Sequence, residues 1–160
     1  MPSQTQDAFN ELMKKNGSKC QLFEGYGLTE AIAVNVINNF KYNKKGALGH
    51  AIPDVQVKIV DENGNEVKHG DIGEIAIKGG ANMVCYFDNP EATKEAVKDG
   101  WVFTGDLGYM DEDDFIFFKQ RKKRVIKVSG VGVFPSEIEN LVSHIPHVQA
   151  CCAVEIPDSR

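Results

Sequence analysis

Ile72-Gly73-Glu74-Ile75-Ala76-Ile77-Lys78 is an alternating run of the kind that forms a β-strand with one buried face. A similar valine-rich run occupies residues 55–60, and the turn sequence Asp61-Glu62-Asn63-Gly64-Asn65 follows it. A turn of this kind after an alternating run predicts a β-hairpin. A further strand is predicted at Trp101-Val102-Phe103, so residues 46–105 have the character of a β-region.

Helical patterns lie on both sides of these strands and between them. Residues 3–16 have amphipathic spacing, Thr29 precedes a predicted helix over residues 31–37, and Asn89-Pro90 begins a short helix that reaches Lys98. Ser136 and Glu139 have the spacing of a capping box before an apolar helical stripe. The remaining predicted strands are residues 19–23, 115–119, 125–128 and 148–156.

Composition indicates a globular protein of the cytoplasm. The chain has 160 residues, of which 42% are hydrophobic and 26% charged, and its net charge of −5 argues against a nucleic-acid binder. It contains no apolar run long enough for a membrane span, and its first residues lack the pattern of a signal peptide. The four cysteines form no Cys-x-x-Cys pair, so reduced thiols are predicted, with Cys151 and Cys152 buried.

The first candidate site is Gly25-Tyr26-Gly27-Leu28-Thr29-Glu30. Two glycines allow a close approach of the backbone to a ligand, and a tyrosine between them offers a flat face for a base. A threonine at a helix start presents a hydroxyl and free N–H groups to an anion, and a glutamate can hold a hard cation. A plain strand-to-helix turn explains the same six residues equally well.

The second and third candidates are Trp101–Asp106 and the basic cluster Lys119–Lys127. Asp106 follows a strand and a glycine, where a carboxylate can accept two hydroxyl groups such as those of a ribose, although an Asx turn is the commoner explanation. The basic cluster has six basic residues in nine, which is usual for a solvated face or a nucleic-acid patch. Apolar alternation continues through it, which favours a strand-turn-strand unit.

Together these stretches resemble the AMP-forming acyl-CoA synthetases of the adenylate-forming superfamily, relatives of luciferases and peptide-synthetase adenylation domains. One such motif is weak, but several in the family's order and spacing are specific. The stretches that carry the resemblance are Glu24–Glu30, Gly70–Gly79, Tyr86–Thr93, Trp101–Asp106, Arg121–Gly130 and Phe134–Glu139.

The resemblance implies an α+β fold in two parts. Residues 1–121 are expected to form the distorted antiparallel β-barrel at the end of the large adenylation domain. Residues 122–160 are expected to form the hinge and the first part of the small α+β C-terminal domain. The phosphate-binding loop and the final catalytic lysine of the family are not found in the sequence, so the chain is expected to be an internal fragment that is inactive alone.

The same resemblance implies roles for the first motif. Tyr26 would stack on adenine, with Gly25 and Gly27 leaving room for it. Thr29 would contact the phosphate or the activated carboxylate, and Glu30 would help to hold Mg²⁺. Thr29 and Glu30 are therefore expected to be catalytic.

Further roles follow for the later motifs. Asp106 and Arg121 would bind the ribose, and Lys123 falls at the family's hinge position. Lys127 would be a third catalytic residue, on the face of the small domain that is used after rotation. Ser129 and Gly130 would line the tunnel for the thiol of CoA.

The implied reaction joins a carboxylic acid to CoA through an acyl-AMP intermediate, with ATP and Mg²⁺ as further ligands. The amino-acid sequence of Phe134–Glu139 favours a fatty acid as the substrate. Two alternatives stay open: an adenylation domain that loads a carrier protein, and a truncated binding module without catalysis. Gln120, Cys85 and Gly132 depart mildly from the family pattern, as a subfamily would.

Overall fold

The computed structural model describes residues 3–128 and 131–156. Three α-helices lie in these ranges: α1 (Ser3–Lys15), α2 (Pro90–Ala96) and α3 (Pro135–Ser143). Two short 3₁₀ turns occur at Thr29–Ala31 and Lys122–Arg124. The strands are β1 (Gly25–Tyr26), β2 (Val36–Ile37), β3 (His50–Ala51), β4 (Val55–Val60), β5 (Gly73–Gly79), β6 (Val97–Lys98), β7 (Trp101–Met110), β8 (Ile116–Arg121), β9 (Ile126–Val128) and β10 (Val131–Val133).

An antiparallel sheet of five strands forms the centre of the fold. Its order is β4-β5-β7-β6, and β8 pairs with the second half of β7 beyond the end of β6. The β6–β7 hairpin closes through Asp99 and Gly100, which both have positive φ, as a two-residue turn with the strand twist requires. The alternating run predicted around residue 75 is therefore an interior strand, paired on both sides.

A bulge interrupts the pairing of β5 with β7. Glu74 pairs with Leu107 and Ala76 pairs with Phe103, so three residues of β7 lie opposite the single residue Ile75. Gly105, in the middle of the bulge, has a φ of +71°, which glycine adopts at little cost. The bulge changes the direction in which the next side chain, Asp106, projects.

A second sheet, β1-β2-β3, packs against the first. It is joined to it by the bridge between Gly49 and Ile116, where the Ile116 N–H donates to the Gly49 carbonyl at 3.0 Å. The core between the two sheets consists of buried apolar side chains from both sheets and from the 3₁₀ turn at Thr29–Ala31, and burial of each valine or isoleucine among them stabilises the fold by about 1.5–3 kcal/mol. These residues are Ala31, Val36, Ile59, Ile75, Ile77 and Ile116.

The helix predicted over residues 31–37 is wrong. Only a 3₁₀ turn at Thr29–Ala31 forms, because Ile32 and Ala33 have positive φ and direct the chain into β2. The strand predicted at residues 19–23 is also absent. Instead, two side chains of α1 bind the backbone of Leu22. Asn10 Oδ1 accepts from the Leu22 N–H at 2.8 Å, and Gln6 Nε2 donates to the Leu22 carbonyl at 2.8 Å.

The region after β8 differs from the prediction in three ways. Residues 148–156 form no strand within the described part of the chain, and Cys151 and Cys152 are exposed instead of buried. The capping box at Ser136 does not form. Its hydroxyl donates to the Lys119 carbonyl at 3.0 Å, and its N–H donates to Gln120 Oε1 at 3.0 Å, so the start of α3 is attached to β8.

The mixture of helices with a curled antiparallel sheet agrees with the predicted α+β class. Both the start of α2 at Asn89-Pro90 and helix α1 are confirmed, although α2 ends at Ala96, two residues before the predicted Lys98. Asn89 caps α2 by accepting from the Ala92 N–H at 3.0 Å. Among the helices that the structure describes, none has the length and apolar character needed to cross a membrane.

Candidate functional site

Three predicted site residues meet at the end of the β7–β8 pair, although Tyr26 is 80 or more positions from the other two in sequence. The hydroxyl of Tyr26 donates to Asp106 Oδ2 at 2.7 Å, and Arg121 Nε lies 2.8 Å from Asp106 Oδ1. Asp106 and Arg121 are direct cross-strand partners, while Tyr26 comes from β1 in the other sheet. The cluster of Tyr26, Asp106 and Arg121 therefore forms where the two sheets meet.

Asp106 is a buried carboxylate with acceptor capacity to spare. Only 4% of the residue is exposed, whereas the side chain of Arg121 is 66% exposed. Although Arg121 Nε is close, its N–H does not point at Oδ1, and that oxygen accepts no hydrogen bond from the described residues. A carboxylate offers about four acceptor positions, so a ligand hydroxyl fits this oxygen.

Burial also determines the state of Tyr26. Burial raises the pKa of its hydroxyl far above the ordinary value, and the negative charge of Asp106 raises the pKa further. The hydroxyl therefore remains a donor to Asp106 at physiological pH. Its ring is held beside the carboxylate, and Tyr26 as a whole is partly exposed.

Glu74 supports this cluster, a role that the sequence did not reveal. Its Oε1 accepts from the N–H of Gly105 in the bulge at 2.9 Å, and its Oε2 pairs with Lys122 Nζ at 2.8 Å. The side chain of Glu74 is only 11% exposed. Thr104 adds a second support, because its hydroxyl donates to the Ile75 carbonyl at 2.8 Å. The two residues before Asp106 are thus held by the neighbouring strand β5.

The glycines of the first motif have different surroundings. A Cβ on Gly27 would lie 1.3 Å from the carbonyl oxygen of Ala33, so only glycine allows the loop after the 3₁₀ turn to pack there. Gly25 has ordinary contacts, with the carbonyl oxygen of Val36 at 3.4 Å. Thr29 is exposed, at the start of a turn of only three residues. The conformation of this loop therefore explains Gly27 without a ligand.

Glu30 lies in a separate part of the site and is held by a residue to which the sequence assigned no role. Tyr86 Oη donates to Glu30 Oε1 at 2.7 Å, and the Met83 N–H donates to the Glu30 carbonyl at 2.7 Å. The hydrogen bond to Glu30 raises the pKa of Tyr86. Within the described residues, Oε2 of Glu30 has no hydrogen-bond or ion-pair partner.

The basic residues lie apart from these two groups. Lys123 is exposed in the 3₁₀ turn after β8, and Lys127 is exposed on β9 opposite Gly132. Neither side chain makes a hydrogen bond or an ion pair within residues 3–128 and 131–156. Ser129 and Gly130 lie outside the described residues.

Two grooves flank the motifs. One, of about 540 Å³, is lined by Gly27, Leu28, Thr29, Ile32 and Ala33. The other, of about 580 Å³, is bordered by Tyr86, Thr104, Gly105, Lys122 and Lys123. Both volumes fall in the range of small-molecule sites. No group of three or more metal-ligating side chains occurs in the part of the chain that the structure describes, so a metal ion would need ligands from elsewhere.

Residues 1–87 match the family model described as "AMP-binding enzyme". A long-chain-fatty-acid–CoA ligase of Salmonella typhimurium is 44% identical over 138 residues, which cover 85% of this chain and 24% of that protein. A fatty acid–[acyl-carrier-protein] ligase, ScoC, of Streptomyces coeruleorubidus is 38% identical, covering 88% of this chain and 28% of that protein. The chain thus spans about a quarter of the length of the curated relatives it matches.

Solved structures agree with this comparison. The O-succinylbenzoate coenzyme A synthetase MenE from Bacillus subtilis, in complex with ATP and magnesium ion, superposes with a TM-score of 0.83 at 27% identity. The match covers 95% of this chain and 32% of that one. The predicted fold class, with its curled antiparallel sheet, is therefore confirmed.

Proposed function

The chain belongs to the AMP-binding enzyme family, and on that premise we propose that it is part of a longer AMP-forming ligase that joins a carboxylic acid to CoA. The observation that carries the proposal is the buried Asp106 carboxylate, held by Tyr26 and Arg121, with one oxygen that accepts no hydrogen bond. A carboxylate in this state suits the hydroxyl groups of a ribose. The charge-assisted hydrogen bonds would hold the nucleotide while its phosphate reacts.

The reaction has two steps. The substrate carboxylate attacks the α-phosphate of ATP, which forms acyl-AMP and releases pyrophosphate. The CoA thiol then attacks the acyl carbonyl and releases AMP. In the first step Asp106 and Arg121 bind the ribose, and the ring of Tyr26, fixed by its hydroxyl, stacks on adenine with Gly25 and Gly27 beside it. Thr29 contacts the phosphate from the exposed end of its turn.

Glu30 fits the role of a Mg²⁺ ligand. A carboxylate oxygen is the donor that this hard cation prefers, and Oε2 of Glu30 has no partner among the described residues. Bound Mg²⁺ would neutralise negative charge on the phosphates. The remaining ligands would come from ATP, from water and from residues beyond this chain.

We also propose that a domain boundary follows Arg121, where β8 ends and the exposed turn Lys122–Arg124 begins. Lys123 would be the hinge between the two reaction geometries. Lys127 would act in the second geometry, and Ser129 and Gly130 would line the path of the CoA thiol. These roles rest on the order and spacing of the motifs.

A fatty acid is the proposed substrate. The support comes from relatives whose names specify long-chain fatty acids, together with their 44% identity to this chain. The name of ScoC favours a second acceptor, because it specifies an acyl carrier protein in place of CoA. We place the reaction in the cytoplasm, since the four cysteines are exposed free thiols that an oxidising compartment would modify.

ATP–pyrophosphate exchange by the longer protein tests the proposal. We expect exchange that depends on a fatty acid and on Mg²⁺, followed by thioester formation when CoA is added. Thioester formed only with a carrier protein would favour the second acceptor. A purified, folded protein that gives no exchange with fatty acids of short, medium or long chain would refute the fatty-acid ligase.

A further inference from the structure

Tyr86 contacts the candidate metal ligand Glu30 from a distant segment of the chain, to which no role in the site was assigned from the sequence. It is 56 residues from Glu30 in sequence, yet its hydroxyl donates to Glu30 Oε1 at 2.7 Å. The same segment makes a second contact, because the Met83 N–H donates to the Glu30 carbonyl at 2.7 Å. Residues 83–86 therefore hold both the main chain and the side chain of Glu30.

The position of Tyr86 is itself determined by helix α2. Its N–H donates to Thr93 Oγ1 at 2.9 Å, and the Thr93 hydroxyl donates to the Asn89 carbonyl at 2.8 Å. Asn89 in turn caps the helix. A chain of hydrogen bonds thus runs from the first turn of α2 through the Tyr86 backbone to the loop that carries Glu30. This arrangement is more rigid than a single contact between two exposed side chains.

From this geometry we propose that Tyr86 is a positioning residue, which orients the Glu30 carboxylate so that Oε2 binds Mg²⁺. The inference rests on the proposed function. A glutamate side chain has three rotatable bonds, and without a partner its carboxylate samples several orientations. The hydrogen bond to Oε1 leaves Oε2 free and restricts these orientations. Partners of this kind typically change metal affinity 10–100-fold.

The test measures metal binding directly, in the longer protein, with Mn²⁺ as the probe. The signal of free Mn²⁺ in electron paramagnetic resonance, corrected for the ion that ATP alone binds, gives the affinity of the protein–ATP complex for Mn²⁺. Tyr86→Phe should weaken this affinity by roughly 10–100-fold, and should raise the KM for Mg²⁺ while leaving the KM for the fatty acid unchanged. A purely structural role of Tyr86 would alter both KM values together.

Tyr109→Phe is the matched control. Tyr109 stacks on Phe117 with ring centroids 4.7 Å apart, and its hydroxyl has no hydrogen-bond partner among the described residues. This variant should bind Mn²⁺ as the wild type does. Glu30→Gln gives the largest loss of Mn²⁺ affinity that Tyr86→Phe could cause. Adding Tyr86→Phe to Glu30→Gln should therefore cause no further loss of Mn²⁺ affinity.

The outcomes separate the two proposals. If the wild-type protein binds Mn²⁺ with ATP and catalyses exchange, but Tyr86→Phe retains wild-type Mn²⁺ affinity, the positioning role is wrong and the function stands. If the double variant loses as much as the two single effects combined, Tyr86 acts independently of Glu30 and the inference is also wrong. A wild type with neither ATP-dependent Mn²⁺ binding nor exchange would refute the proposed function itself.

Discussion

Replacing Asp106 by alanine should abolish most of the ATP affinity of the longer protein. The magnitude follows from the hydrogen-bonding capacity of the carboxylate. Tyr26 uses one acceptor position on Oδ2, and Oδ1 accepts no hydrogen bond within the described residues, so both ribose hydroxyls can be accommodated. Two charge-assisted hydrogen bonds at about 1.5–3 kcal/mol each give a loss of about 3–6 kcal/mol, or roughly 10²–10⁴-fold in Kd.

The variant also needs a control for folding. Without Asp106, the buried hydroxyl of Tyr26 loses its acceptor, which costs about 1–3 kcal/mol of stability. The double variant Tyr26→Phe, Asp106→Ala removes that hydroxyl as well. Tyr26→Phe alone keeps the aromatic ring and the carboxylate, so it is the reference for the double variant and should retain most of the affinity.

Isothermal titration with ATP, at a fixed Mg²⁺ concentration, measures the four affinities, and thermal unfolding confirms that each protein is folded. The expected result is a loss of roughly 10²–10⁴-fold between Tyr26→Phe and the double variant. A folded double variant with the same ATP affinity as Tyr26→Phe would show that Asp106 does not bind the ribose. The geometry of Asp106 would then no longer support the proposed function.

Three further perturbations test the fold and the site. Gly27→Ala should destabilise the folded protein by about 3 kcal/mol or more in urea unfolding, because its Cβ would lie 1.3 Å from the Ala33 carbonyl oxygen. Gly80→Ala is the control, since a Cβ at that position meets nothing within 4 Å. Ile75→Ala should cost about 2–5 kcal/mol, since Ile75 is fully buried in the core, whereas Ile156→Ala, 82% exposed, should change the free energy of unfolding by less than about 0.5 kcal/mol. Burial raises the pKa of Tyr26 in the folded state, so the unfolded chain ionises first as pH rises. The stability that this group contributes is present below pH of about 10 and is lost above it. Above this pH, the free energy of unfolding should therefore decline less steeply with pH for Tyr26→Phe than for the wild type, as denaturation at several pH values would measure. An identical decline in the two proteins would contradict the burial of this hydroxyl.

Local patterns predicted the elements whose conformation depends on local contacts. Helix α1 and the start of α2 follow from spacing and from the Asn89 cap, and β4 and β5 follow from alternation. The failed helix over residues 31–37 shows the limit of such patterns. Its residues have apolar spacing, but the packing of Ala33 on Gly27 imposes positive φ values that no local preference predicts.

The same distinction applies to the site. Motif order was enough to single out Tyr26, Asp106 and Arg121, which the structure brings together. Glu74 and Tyr86 lie in stretches that the sequence had marked, yet their roles could not be predicted. The neighbouring sequence does not show whether the Glu74 carboxylate accepts a hydrogen bond from Gly105 or faces solvent, or whether the Tyr86 hydroxyl meets Glu30. Both act through partners 31 and 56 residues away, and such pairs become visible only when the strands are placed beside each other.

The separation of Tyr26 and Asp106 by 80 residues also affects how the protein is made. At a translation rate of about 5–20 residues per second, roughly 4–16 s pass between the synthesis of the two residues. During that interval the nascent chain carries Tyr26 before its partners in the cluster, Asp106 and Arg121, have been made. The cluster of Tyr26, Asp106 and Arg121 is therefore completed only after β8 has left the ribosome, several seconds after β1 has been made.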